Sequence, residues 1–134
     1  MTIGKTRHKL MALSGDAFAN EVEALMGVLS ERVAQSRRLG LLDRQGVDVF
    51  VYREADHSVE VAIQCKGYER PFESDQVPAL LDEIAKFAQK GPNVEEYWLT
   101  INRPITDRHD RDQVETALRG LMRSGKCQNA RLLD

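Results

Sequence analysis

GVDVFVYREADHSVEVAIQCK, residues 46–66, decides how the rest of the chain is read. Its first part, GVDVFVY (46–52), alternates and is rich in β-branched and aromatic residues, the pattern of a strand. READHS (53–58) supplies a turn, and VEVAIQCK (59–66) follows as a second strand, predicted antiparallel to the first. Successive side chains of a strand point to opposite faces. Val47, Val49 and Val51 should therefore share one face, with Asp48, Phe50 and Tyr52 on the other. On the second strand Val59, Val61, Ile63 and Cys65 share one face, and Glu60, Ala62, Gln64 and Lys66 the other. An amide and an ammonium thus stand side by side on a strand that is otherwise mostly apolar. Asp48 lies among valines, where an uncompensated carboxylate is costly. It needs a cation, a hydrogen-bond donor or a metal ion. Lys66 is one such partner. The spacing leaves two readings open, a buried Asp48–Lys66 pair bridged by Gln64 and a functional site.

Outward from this hairpin the pattern turns helical. SGDAFANEVEALMGVLSERVAQ (14–35) reads as a helix capped by Ser14 or Asp16, with Phe18, Val22, Leu25, Met26, Leu29 and Val33 as its apolar stripe. Residues 1–13 read as a polar lead-in, expected to be flexible or loosely packed. ESDQVPALLDEIAKFAQKG (73–91) is a second helix. Ser74 or Asp75 caps it, Pro78 falls in its first turn, and Gly91 ends it. Val77, Leu80, Leu81, Ile84 and Phe87 face inward. EYWLTIN (96–102) is a third strand, stopped by Pro104. DRDQVETALRGLMRSGK (110–126) is a third helix, with Val114, Leu118, Leu121 and Met122 on one face, and ARLLD (130–134) a last short strand. The order α-β-β-α-β-α-β predicts a single α/β domain over 14–134, one sheet with helices on its faces. A chain stopping in an apolar strand suggests a domain cut from, or fused within, a longer protein.

The bulk numbers narrow the class. A chain of 134 residues with 42% hydrophobic and 30% charged residues has enough apolar material for one modest core. No apolar run approaches a membrane span and the start lacks a signal-peptide core, so the cytoplasm is expected. Cys65 and Cys127 form no CxxC pair and no disulfide framework. The net charge of −2 argues against a strongly basic nucleic-acid binder. Positive charge can still be local, as in KTRHK (5–9) and at Arg32, Arg37, Arg38 and Arg44, each more simply a solvated tail or helix face.

Glu21 adds a second carboxylate. It borders the inward stripe, between Phe18 and Leu25, where it is either a rim residue or leans towards the site of Asp48. Glu23 is turned away from that stripe. Two carboxylates, an amide oxygen and a lysine suit a hard cation such as Mg²⁺, which needs only one or two protein carboxylates. A lysine beside the cation can position a water and stabilise developing charge. That is the equipment for phosphodiester hydrolysis.

With these residues assembled, GVDVFVY…VEVAIQCKGYE resembles the core of the PD-(D/E)xK, restriction-endonuclease-like superfamily. It is most similar to the Mrr-like branch, whose motif runs Gly-x-Asp and then Gln-x-Lys. The resemblance covers roughly residues 14–134. It implies a restriction-endonuclease-like core with a mixed central sheet flanked by helices. It implies that Asp48, Gln64, Glu21 and the backbone carbonyl of Cys65 hold Mg²⁺, with Mn²⁺ able to substitute, and that Lys66 is the catalytic lysine. Gln64 stands where most relatives carry Glu or Asp, so the site leans on Asp48 and Glu21 and single-metal chemistry is expected. The implied activity is endonucleolytic cleavage of DNA, duplex in particular, in a restriction or anti-phage defence setting. Phosphate contacts position but do not specify, so target choice would come from an oligomer or from a fused or associated sensor or NTPase module. The alternative is a nuclease-like domain without activity that binds DNA or protein.

The remaining motifs carry less. Tyr68 and Arg70 could meet substrate backbone but read more simply as a polar loop, and Trp98 as core. His8, His57 and His109 are scattered singly, which argues against a zinc site. No phosphate-binding glycine loop is present.

Overall fold

The computed structural model describes residues 17, 18, 20–22, 24, 33–35, 46–53, 56 and 58–134. The lead-in over 1–13, the basic clusters at 5–9 and at Arg32, Arg37, Arg38 and Arg44, the caps Ser14 and Asp16, Glu23, His8 and His57 lie outside the described residues. So does most of the helix expected over 14–35, of which residues 17, 18, 20–22 and 24 are helical.

Five strands form one sheet in the order β1-β2-β3-β4-β5. They are β1 (Val33–Gln35), β2 (Val49–Tyr52), β3 (Val59–Lys66), β4 (Val94–Ile101) and β5 (Cys127–Leu133). A 3₁₀ turn (Ser74–Gln76) leads into helix α1 (Val77–Lys90), and α2 (Arg108–Arg123) follows β4. The β2–β3 pair is antiparallel, as is β1–β2, whereas β3–β4 and β4–β5 are parallel. The sheet is therefore mixed, and it changes character across β3. Parallel neighbours need a crossover, and α1 and α2 supply the two crossovers. The α/β class expected from the sequence is the class observed.

One expectation fails at the start. Residues 33–35 are strand, not the last turn of a helix, with Val33 opposite Val51 and Gln35 opposite Val49. Val33 continues the helical stripe on paper, but ladder bonds to β2 outweigh a weak local preference. The described residues thus include one strand more than the order read from the sequence.

The sheet separates two cores. On one face Phe50, Ala62, Tyr97, Leu99 and Ile101 meet Leu80, Ile84 and Phe87 of α1 and Val114, Leu118 and Leu121 of α2. On the other, Phe18 and Val22 pack on Val49, Val51, Val61, Ile63 and Cys65. Phe87 stacks on Tyr97 with centroids 4.4 Å apart, which seats α1 on the sheet. No helix among the described residues is long and apolar enough to cross a membrane.

Two local expectations are also corrected. Neither Ser74 nor Asp75 caps α1: its N-cap is Gln76, with no side-chain cap bond. The Ser74 hydroxyl instead donates to Asp110 Oδ2 at 2.6 Å, tying the 3₁₀ turn to the first turn of α2. Val47 does not share a face with Val49 and Val51. It packs with Phe50 and Ala62 on the α1 side. The cause is Gly46, at φ 72°, followed by a bend at Asp48, so strict alternation begins only at Val49.

Candidate functional site

The candidate residues gather at the carboxyl end of β3, where the sheet passes from antiparallel to parallel pairing. The bend places Asp48 just before β2 rather than inside it. Its backbone N–H donates to Ile63 O at 2.8 Å. Its carboxylate takes the place of the next rung: Asp48 Oδ2 accepts a hydrogen bond from Cys65 N at 2.9 Å. The backbone donor needs that acceptor because β2 has not yet begun at this level. N–H and C=O of one strand residue point to the same side, so the Cys65 carbonyl is turned towards the Asp48 side as well. The Lys66 carbonyl faces the other way and accepts from Asn102 N at 3.4 Å.

Gln64 and Lys66 project from β3 towards α1, on the face of Ala62. Gln64 is 5% exposed. Lys66 does not pair with Asp48, the first of the two readings left open by the sequence. Its ammonium lies 3.3 Å from Glu83 Oε1 on α1. Glu21 is half-buried on the helical segment whose Phe18 and Val22 pack over the Cys65 face, opposite to the face of Gln64 and Lys66. Asp48, the Cys65 backbone, Gln64 and Lys66 are thus brought to one strand end, and Glu21 belongs to the layer on the far face.

Glu83 was missed from the sequence. It sits three residues after Leu80 and four before Phe87, the same border position on a stripe that draws attention to Glu21. Its surroundings are sheltered. Burial first, and then the Glu83 carboxylate, pushes the Tyr68 phenol up to about 12. Burial, followed by the charges of Glu83 and Asp48 and the thiols of Cys65 and Cys127, holds the Tyr97 phenol well above its ordinary value.

The frame around these groups is tight. Tyr97 Oη donates to the Gly46 carbonyl at 3.4 Å. A side chain at Gly46 would collide with the Glu83 carbonyl oxygen and stand 3.0 Å from Phe87 N, so the loop carrying Asp48 lies directly on the α1 backbone. On the other side the loop after Lys66 is pinned by a second group that sequence reading overlooked. Asn102, only 4% exposed, accepts from Tyr68 N at 2.7 Å and donates to Tyr68 O at 3.0 Å. Arg103 donates to the carbonyls of Tyr68 and Glu69. The visible cue was a lone amide closing an apolar strand before Arg103-Pro104. Arg70 is exposed on this loop, beside a cleft of about 410 Å³ lined by Gly67–Pro71 and Gln76. Trp98 is partly buried against the far core, as expected for a packing residue.

Among the described residues no three Asp, Glu, His or Cys side chains converge as a metal-binding group. The expected donor set never contained three, since it joins two carboxylates to an amide and a carbonyl oxygen. The carboxylate and carbonyl at one rung of β3, with an amide side chain on the neighbouring residue, fit a hard cation chemically. No protein-family model matches the chain, nor does a curated protein or a solved structure.

Proposed function

We propose that this chain is a Mg²⁺-dependent endonuclease domain of the restriction-endonuclease-like kind, hydrolysing DNA phosphodiester bonds as the effector of a restriction or anti-phage defence system. The observation that carries the reading is the end of β3, where the Asp48 carboxylate is anchored on the Cys65 N–H beside the Gln64 side chain and the Lys66 ammonium. The mixed sheet, expected from the resemblance, supports it.

In this reading Asp48, Gln64 and the Cys65 carbonyl would hold the cation, while Glu21, in the layer over the opposite face, is a donor the resemblance implies and not one that this strand end supplies. The cation, when bound, supplies an acidified water and neutralises charge on the phosphate. Lys66 orients the attacking water and stabilises the negative charge that grows on the phosphate oxygens. The Cys65 N–H keeps Asp48 from swinging away, so the site is formed before substrate arrives. Selection of the target falls to an oligomer or an associated module.

Supercoiled plasmid incubated with Mg²⁺ or Mn²⁺, beside EDTA and Lys66→Ala controls, tests this. Cleavage requiring both the metal and Lys66 is the expected result. DNA retention without cleavage, unchanged in Lys66→Ala, would favour the second reading, a binding domain built on the same fold. The Glu83 contact, which already occupies Lys66, is the observation on its side.

A further inference from the structure

Glu83 touches both halves of the candidate site. Its backbone carbonyl lies against Gly46, two residues before Asp48, and its carboxylate takes the ammonium of Lys66. We infer that Glu83 is a positioning residue for Lys66, and that through it one residue of α1 fixes the spacing between Lys66 and the Asp48 loop. This inference rests on the hydrolytic reading given above.

The stem of a lysine is flexible, so an ammonium that must meet water or phosphate at one place needs an anchor. Glu83 has the reach and the shelter for this. Its side chain is 14% exposed and that of Lys66 28%. Lys86 also approaches Glu83 Oε1, at 3.5 Å, but is 49% exposed. A pair shielded from water holds its geometry better than an exposed one, so Lys66 is the partner Glu83 constrains. The carboxylate is itself fixed, because it rides on a helix seated through Leu80, Ile84 and Phe87. Glu83 also adds to the upward push that burial gives the Tyr68 and Tyr97 phenols at this strand end.

A purely structural strap between α1 and β3 would fix the fold and leave turnover alone. The two roles separate in Glu83→Gln, which keeps size and removes charge, with Glu83→Asp as a variant that keeps the charge. Two readouts are needed on the full chain. The first is the order parameter of the Lys66 ε-methylene by ¹³C relaxation, with exposed Lys90 as the mobile reference. The second is kcat and KM for plasmid cleavage with Mg²⁺. In Glu83→Gln the Lys66 order parameter should fall to that of Lys90. The kcat should drop at least tenfold while KM for DNA stays within twofold, and Glu83→Asp should lie between. An unchanged Lys66 order parameter overturns the inference, and so does lost order with kcat unchanged. If the unaltered protein cleaves no DNA with any metal, the hydrolytic reading fails, and the order parameter still decides whether Glu83 holds Lys66.

Discussion

Gly46→Ala should be among the most damaging small substitutions in this chain, and its cost can be worked from two separate terms. The residue sits at φ 72°, a left-handed conformation that costs an L-residue about 1–2 kcal/mol. The added methyl would also enter the space of the Glu83 carbonyl oxygen and crowd Phe87 N, both helix backbone atoms that cannot rotate away. Overpacking of that kind costs about 1–3 kcal/mol. Together the loss is about 2–5 kcal/mol. Gly125 provides the internal control, since it has φ 80° but nothing within 4 Å of its would-be methyl. Gly125→Ala should therefore lose only the conformational part, about 1–2 kcal/mol. Both variants stiffen the unfolded chain alike, so that contribution cancels in the difference. Urea unfolding of the three proteins, with equal slopes, gives the comparison. A Gly46→Ala loss within about 0.5 kcal/mol of the Gly125→Ala loss would refute the claim that the Asp48 loop rests on α1.

Asp48→Ala strands a buried backbone donor and should cost about 1–3 kcal/mol in chemical denaturation, while Asp48→Asn, which keeps an acceptor for Cys65 N, should cost less and still abolish metal-dependent cleavage. Alkaline stability should fall from about pH 10 upward: the unfolded chain ionises its tyrosines there, while the folded chain keeps Tyr68 neutral to about 12 and Tyr97 beyond its ordinary range. Tyr97→Phe should flatten that decline in denaturation curves taken between pH 9 and 12, and an unaltered slope would contradict the assignment. Thr100 Oγ1 is the one buried side-chain polar atom among the described residues without a partner, so Thr100→Val should be neutral or stabilising by up to about 1 kcal/mol in thermal melts.

How much of this was legible depends on how local each signal is. The hairpin of β2 and β3 was readable because alternation over 61–66 is a property of neighbouring residues, although Val59, expected on the face of Val61, packs on the α1 side across a register shift; α1 and α2 were readable from their stripes. Strand β1 was not, because Val33 satisfies a helical spacing and only its distant partner Val51 makes it a strand. The opening of β5 was missed because Cys127, Gln128 and Asn129 form a polar run, and a strand with an exposed face may carry one. Asp48, Gln64 and Lys66 could be picked out as polar groups on apolar strands. Their true partners could not: the bend at Asp48, the Cys65 N–H and the Glu83 carboxylate depend on how separate segments meet. The Asp48–Lys66 pair was a sound guess from strand adjacency, and it failed because α1 offers Lys66 a nearer acid.

The Asp48–Cys65 bond joins residues 17 positions apart in sequence, across a single hairpin. Half of the candidate site is therefore built by the stretch of chain that can find itself first during folding. A slip of one residue in that hairpin would turn Gln64 and Lys66 to the opposite face, away from Glu83, and would leave Asp48 facing a side of β3 with no donor to receive it. The same slip would drive an amide and an ammonium into the Phe18 core. Competence of the site and correctness of strand alignment are thus one and the same condition. Misaligned copies of this protein would be rejected by their own cores before they could present an incomplete site.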